Sequence, residues 1–177
     1  MDNYDILESN KVFKGIILDV YHDKILLPNG RQAMREIVRK KSATAIVAVS
    51  NDDKILLVKQ HRPAINEFML EVPAGIFDEG ESAEQCGLRE LEEETGFVAG
   101  KMTFLTKMYA SVGFCDELVH IYLAEDLIAG KQNFDEDEFL TVEEYALEDA
   151  IKMIFNGEIK DSKTIAGILA YREMKKT

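Results

Sequence analysis

Basic residues are in deficit and cysteine is scarce. Against 33 acidic side chains the 177-residue chain sets 21 basic ones, a net charge of −12. Such a balance argues against a nucleic-acid wrapper, which would need a basic face. Two cysteines, Cys86 and Cys115, are too few for a disulfide framework and lack metal-ligand spacing, so both read as ordinary reduced thiols. No stretch approaches the roughly 18 apolar residues of a membrane helix. The start, MDNYDILESN, is acidic and polar, without the basic-then-apolar order of a signal peptide. A cytoplasmic protein without membrane or nucleic-acid partners is the expectation. Internal repeats, low-complexity tracts and long linkers are also missing.

What is present suits a globular domain. The hydrophobic fraction, 46%, supports a real core. Residues 12–40 read as short strands: Val12 to Tyr21, Lys24 to Leu27, a Pro28-Asn29-Gly30 turn, then Gln32 to Arg39. Three strands make only a thin layer, which needs something to pack on. From Ala43 the chain turns apolar and β-branched, with strands at Ala43 to Val49 and Lys54 to Lys59 around a Ser50–Asp53 turn. Phe68 to Val72 continues the pattern and stops at Pro73. A loop leads to a helix at Ala83 to Thr95, and strands follow near Met102 to Ala110 and Leu118 to Leu123. An acidic loop, Asp135 to Glu138, precedes a strand at Phe139 to Glu143. Helices at Leu147 to Phe155 and Ser162 to Met174 close the series. Strands mixed with three helices predict an α/β layered sandwich behind a small β appendage.

The first helix carries the chemistry. Ser82 with Gln85 three positions on is a capping-box signature, and Gly96 is a natural C-terminal stop. Glu90, Glu93 and Glu94 lie three and four apart, so their carboxylates are neighbours on one side of the helix. Like charges so placed destabilise a helix by a few tenths of a kcal/mol. One reading is a solvated acidic face, balanced in part by Arg89 four residues before Glu93. The other is a site for a hard cation, which takes carboxylate oxygens and keeps its remaining positions for water and phosphate. Gly87 in mid-helix costs about 1 kcal/mol relative to alanine, and close packing under the sheet is the expected reason.

The surrounding pattern favours the cation. Gly75, five residues, Glu81, seven residues, Arg89-Glu90-Leu91, one residue, Glu93-Glu94, one residue and Gly96-Phe97 make nine specified positions over 23 residues. This resembles the Nudix box with every defined position filled. The resemblance implies a Nudix fold, an α/β/α sandwich with a mixed β-sheet, here at residues 42–177. Residues 1–41 would form a small N-terminal antiparallel β-layer. It implies Mg²⁺ or Mn²⁺ on Glu90, Glu94 and the Ala74 carbonyl, with Glu93 in or near that shell. Gly75, Glu81, Arg89 and Gly96 become structural members of the box, Arg89 and Glu81 as the buried pair that orients the ligands. A diphosphate resists water, and cations that neutralise its oxygens and a carboxylate that accepts a proton are what its hydrolysis needs.

Flanking residues resemble the ADP-ribose pyrophosphatase branch. Lys59-Gln60-His61-Arg62 leads to Glu71-Val72-Pro73-Ala74-Gly75, and Gly113-Phe114, Asp135 to Phe139 and Asp161 to Thr164 continue the likeness. Phe13-Lys14-Gly15, the turn at Pro28 to Gly30 and Arg35-Glu36 extend it to the N-terminal layer. The resemblance implies hydrolysis of ADP-ribose to AMP and ribose 5-phosphate by a homodimer that exchanges this layer between subunits. It gives Arg62 and Arg35 to the substrate; the alternative for each is a surface arginine. Glu71 would serve the substrate or the metal shell, or be a strand-end carboxylate. From the acidic loop, Glu136 or Glu138 would approach the metals as base or ligand; the alternative is an exposed turn. Two positions depart from the branch: Val112 where a proline precedes the glycine, and Lys41-Ser42-Ala43 where a His-Pro-Gly-like turn is usual. Both concern loops that set specificity rather than reaction type. The alternatives are therefore a Nudix hydrolase for another nucleoside diphosphate sugar or related diphosphate and a non-catalytic ADP-ribose sensor, the second disfavoured by the intact box.

Overall fold

The computed structural model describes residues 4–133 and 139–176 and divides into two compact units. One comprises the residues up to Ser42 together with Tyr109–Leu118; the other comprises Ala43–Met108 and the chain from Val119.

The first unit is an antiparallel three-stranded sheet, β1 (Asp5–Lys14), β2 (Asp19–Leu26) and β3 (Gln32–Arg39), in that order. Among the described residues its one buried charge is Asp23 on the central strand, 4% exposed. Asp23 accepts from the Ser9 hydroxyl on β1 and pairs with Arg39 Nη2 on β3 at 3.1 Å, so a single carboxylate laces all three strands. The Arg39 guanidinium also lies 4.0 Å from the Tyr21 ring centre, a cation–π contact. The segment 109–118 joins along β3, where Val38 N donates to Phe114 O at 2.7 Å and Lys40 N to Asp116 Oδ1 at 2.9 Å.

The strand expected at Val12 to Tyr21 is in fact two strands and the turn between them. Ile16 and Ile17 look like strand residues, yet both are exposed, and Gly15 N closes the turn on Leu18 O at 2.9 Å. A Cβ at Gly15 would stand 2.6 Å from that oxygen, so the glycine permits the reversal. Every residue of β1 is exposed, which removes the apolar–polar alternation that would have marked its start at Asp5.

The second unit is built around β4 (Ala43–Val49), all seven residues of which are buried. A continuous apolar run of this kind suits a strand covered on both faces. β4 pairs in parallel with β9 (Leu118–Ala129) and antiparallel with β5 (Lys54–Arg62) and the short β7 (Ala74–Ile76). β5 also carries β6 (Glu67–Glu71) and β10 (Leu140–Ala146), and β8 (Phe97–Tyr109) borders β9, completing a seven-stranded mixed sheet. Alternate β4 side chains face opposite ways. Ala45, Val47 and Val49 join Ala150, Ile151, Ile168 and Tyr171 from α2 (Leu147–Phe155) and α3 (Ser162–Met174). Ile46 and Ala48 join Leu91 of α1 (Ala83–Thr95). Helix, sheet and helix layers follow, the α/β/α sandwich expected. All three helices occupy their expected spans, whereas β7 lies where a loop was expected, too short and glycine-containing to show a period.

Gly87 packs as expected: a Cβ there would meet Thr44 Cγ2 at 3.0 Å and Met102 Cε at 3.1 Å. Gly167 on α3 is tighter, with Val47 Cγ2 at 2.8 Å and Ile121 Cγ2 at 3.3 Å, both on stiff β-branched core residues. Gly167→Ala gains about 1 kcal/mol of helix propensity and meets overpacking of about 1–3 kcal/mol. Net destabilisation is expected in urea unfolding, and a variant more stable than the parent would contradict this packing.

Candidate active site

The site grows from β7, the loop after it and α1. Ser82 caps the helix: Gln85 N donates to its Oγ at 3.2 Å, and Ser82 N donates back to Gln85 Oε1 at 2.9 Å. At the other end Gly96 takes φ 74° and donates to Glu92 O at 2.8 Å, the left-handed stop that glycine adopts most readily.

Glu90 and Glu94, one turn apart on α1, both reach β7. A Cβ on Gly75 would lie 1.9 Å from Glu90 Oε1, so only a glycine leaves room for that carboxylate. Glu94, 4% exposed, accepts from Ala74 N through Oε2 at 3.1 Å. Arg89 ties the rest together. Its Nε and Nη2 donate to the two oxygens of Glu81 at 2.9 Å each, and Nη1 donates to Glu90 at 2.7 Å and Glu93 at 3.0 Å. Nη2 also reaches Ile76 O at 3.1 Å, fixing the guanidinium to the strand that faces the carboxylates. The bond to Arg89 brings the Glu81 carboxyl down to about 2, and the same bond raises the Arg89 pKa. Glu93 is the most open of the three helix carboxylates, its side chain 37% exposed. Among the described residues no three His, Cys, Asp or Glu side chains enclose a cation by themselves. Two carboxylates beside a backbone strand are nonetheless a hard donor set of the kind that Mg²⁺ shares with water and phosphate. Cys86 beneath them is no nucleophile: burial pushes its thiol up to about 12.

A second cluster stands at the end of β6. Arg62 Nε and Nη2 donate to the two oxygens of Glu71 at 2.6 and 2.7 Å, and Lys163 Nζ donates to the same carboxylate. Glu71 is 3% exposed. Burial alone would raise its pKa, but Arg62 and Lys163 more than reverse this and bring it from 4.5 to about 2. The sequence singled out Arg62 and Glu71 separately; the structure makes them a bidentate pair. Lys163 was missed as a site residue, although one local signal existed. It follows the α3 cap Asp161 by two positions, where a cation opposes the helix dipole.

The segment 130–133 clasps the C-terminal end of α1. Gly130 N donates to Gly96 O at 2.7 Å, Asn133 N to Glu93 O at 3.0 Å and Gln132 Nε2 to Glu94 O at 2.8 Å. Lys131 N adds a bond to the Glu92 side chain at 3.2 Å. The clasp ends just before the acidic loop, and Glu136 and Glu138 lie outside the described residues. Arg35, exposed on β3 in the other unit, donates to Met34 O at 2.8 Å.

A Nudix domain model matches residues 39–167. The chain belongs to the Nudix family. An ADP-ribose pyrophosphatase from Bacillus subtilis (strain 168) is 43% identical over 171 residues, 96% of this chain and 92% of that protein. A methanol dehydrogenase activator from Bacillus methanolicus is 38% identical over 165 residues, 92% of this chain and 89% of that one. The crystal structure of an ADP compounds hydrolase superposes with a TM-score of 0.90 at 24% identity, covering 99% and 96% of the two chains, and shares the fold. With relatives of this likeness, the protein is a Nudix hydrolase, and its box is the run from Gly75 to Phe97.

Glu71 sets a pH dependence for this Nudix domain. Its pKa is lower folded than unfolded, so its stabilisation is full above 4.5 and fades as pH falls toward 2. The loss is on the order of 3 kcal/mol. Urea unfolding between pH 5 and 2 (about the two pKa limits) should show this slope in the parent and a shallower one in Glu71→Gln. Equal slopes would remove Glu71 from the account.

Proposed function

We propose that the protein hydrolyses the diphosphate bond of ADP-ribose, giving AMP and ribose 5-phosphate. The observation that carries the reaction type is the meeting of Glu90 and Glu94 on Ala74–Gly75, with Arg89 fixed behind them. The substrate rests on a relative of that name at 43% identity over nearly all of both chains.

In this reading Glu90, Glu94 and the Ala74 carbonyl hold Mg²⁺ or Mn²⁺. When bound, the ion neutralises diphosphate oxygens and makes water a better nucleophile. The chain's own groups do the rest. Glu81 holds Arg89, and Arg89 holds Glu90 and Glu93 against each other's repulsion. Water attacks one phosphorus, the bridging P–O bond breaks, and the phosphate on its far side leaves. The water's proton passes to a carboxylate, a role we assign to Glu93, which is open to solvent, or to Glu136 or Glu138 of the acidic loop. Arg62 keeps its Nη1 group outside the Glu71 pair and its side chain is 41% exposed, so it can reach an anionic substrate while staying oriented. Arg35 joins it as a substrate contact on the resemblance alone. The homodimer belongs to the same reading: β1 is exposed throughout, with Ile6, Val12 and Phe13 uncovered, as a strand exchanged between subunits would be. A cytoplasmic setting is part of it too, on the chemistry of the substrate.

One observation favours a second reading, hydrolysis of another nucleoside diphosphate sugar. Val112 is 82% exposed at the position where the ADP-ribose branch carries proline, and loops of this kind set specificity.

Rates with Mg²⁺ on ADP-ribose, ADP-glucose, GDP-mannose and dinucleoside polyphosphates test the substrate. ADP-ribose should turn over fastest; a faster rival would displace it. Glu94→Gln should lower kcat by about two orders of magnitude or more while ADP-ribose binding survives. Full turnover in that variant would refute the site, and chelation of divalent ions should abolish the parent's activity.

A further inference from the structure

The first turn of α3 takes no direct part in the proposed chemistry, yet two of its polar side chains, Lys163 and Thr164, bond to the strand end that leads into the box. Asp161 Oδ2 accepts from Thr164 N at 2.9 Å and from Thr164 Oγ1 at 2.6 Å, and forms an ion pair with Lys163 Nζ at 3.0 Å. Because the Thr164 hydroxyl donates its only proton to Asp161, its oxygen is left as an acceptor toward Val72 N, 2.9 Å away. Thr164 is fully buried, and Lys163 is 15% exposed between Asp161 and Glu71. The segment from Glu71 to Ala74 is thus held at each residue, at Glu71 through the side chain and at the other three through the backbone. Lys163 and Arg62 hold the Glu71 side chain, Thr164 holds Val72 N, Ile46 N holds Pro73 O at 2.8 Å, and Glu94 holds Ala74 N.

We propose that Thr164, with Lys163 beside it, is a positioning residue that sets the Ala74 carbonyl against Glu90 and Glu94. The inference rests on the metal reading above and extends it to α3, 90 residues from Ala74 by number. Thr164 touches neither metal nor substrate. It fixes the strand that offers the one backbone oxygen of the donor set, as outer partners fix ligands at metal centres.

The test uses the whole protein and Mn²⁺ alone, titrated calorimetrically without substrate, beside kcat and KM for ADP-ribose. Thr164→Val keeps the shape and removes the hydroxyl. It should weaken Mn²⁺ binding about 10-fold or more and lower kcat more than it changes KM. Thr164→Ser should restore both, and Lys163→Met should weaken Mn²⁺ binding in the same direction. Gly167→Ala, destabilised on the same helix but away from this turn, should bind Mn²⁺ like the parent. Thr164→Val binding Mn²⁺ as tightly as the parent overturns the inference. So does Gly167→Ala losing as much affinity, since the effect would then be general destabilisation. If Thr164→Val does not fold, Lys163→Met decides, and parent-like Mn²⁺ affinity in it overturns the proposal. A parent that binds no Mn²⁺ refutes the metal reading itself, a result separate from all of these.

Discussion

One guanidinium hydrogen-bonds three carboxylates on and beside α1, and a fourth, Asp78, lies 3.6 Å from its Nε. Without Arg89, Glu90 and Glu93 would lose the cation they share, and Glu81 would lose two of the bonds that hold it. A planar fork can serve several acceptors at fixed angles, which an ammonium cannot do. The bond to Ile76 O then transfers this order to β7. The opposing demand comes from Gly75, where absence of a side chain leaves the space that Glu90 fills. Attraction from one side and vacancy on the other place the carboxylate within a narrow range.

Most of this helix was legible because its determinants are local. Ser82 and Gln85 lie three residues apart, Arg89 and Glu93 four, and spacing on a helix translates directly into neighbourhood. α3 was legible for the same reason, with Asp161 as its cap. β4 was readable from composition, since a strand buried on both faces needs no alternation to show itself.

What was not legible depended on distance or on exposure. Glu71 meets Arg62 across a pair of adjacent strands and Lys163 from a helix 92 residues on, and no periodicity encodes such a meeting. β1 gave no burial pattern because no side of it is covered. The Ile16-Ile17 step carries strand-forming residues into a turn that Gly15 closes, where tertiary geometry overrides propensity. β7 is three residues long and contains the very glycine that the site requires.

The clasp at the end of α1 divides the support of that helix between neighbouring and distant chain. The last turn of this helix contains acids and no base, so its side chains oppose the negative end of the helix dipole. The donors that quiet its terminal carbonyls come from Gly130, Gln132 and Asn133, beyond the end of β9. The capping box holds the start of the helix with residues already beside it. The carbonyls of its final turn are met instead by chain that returns only after β8 and β9 have run their length. The part of α1 that bears Glu93 and Glu94 is therefore held from outside the helix, and its charge-dense end depends on the chain that follows β9.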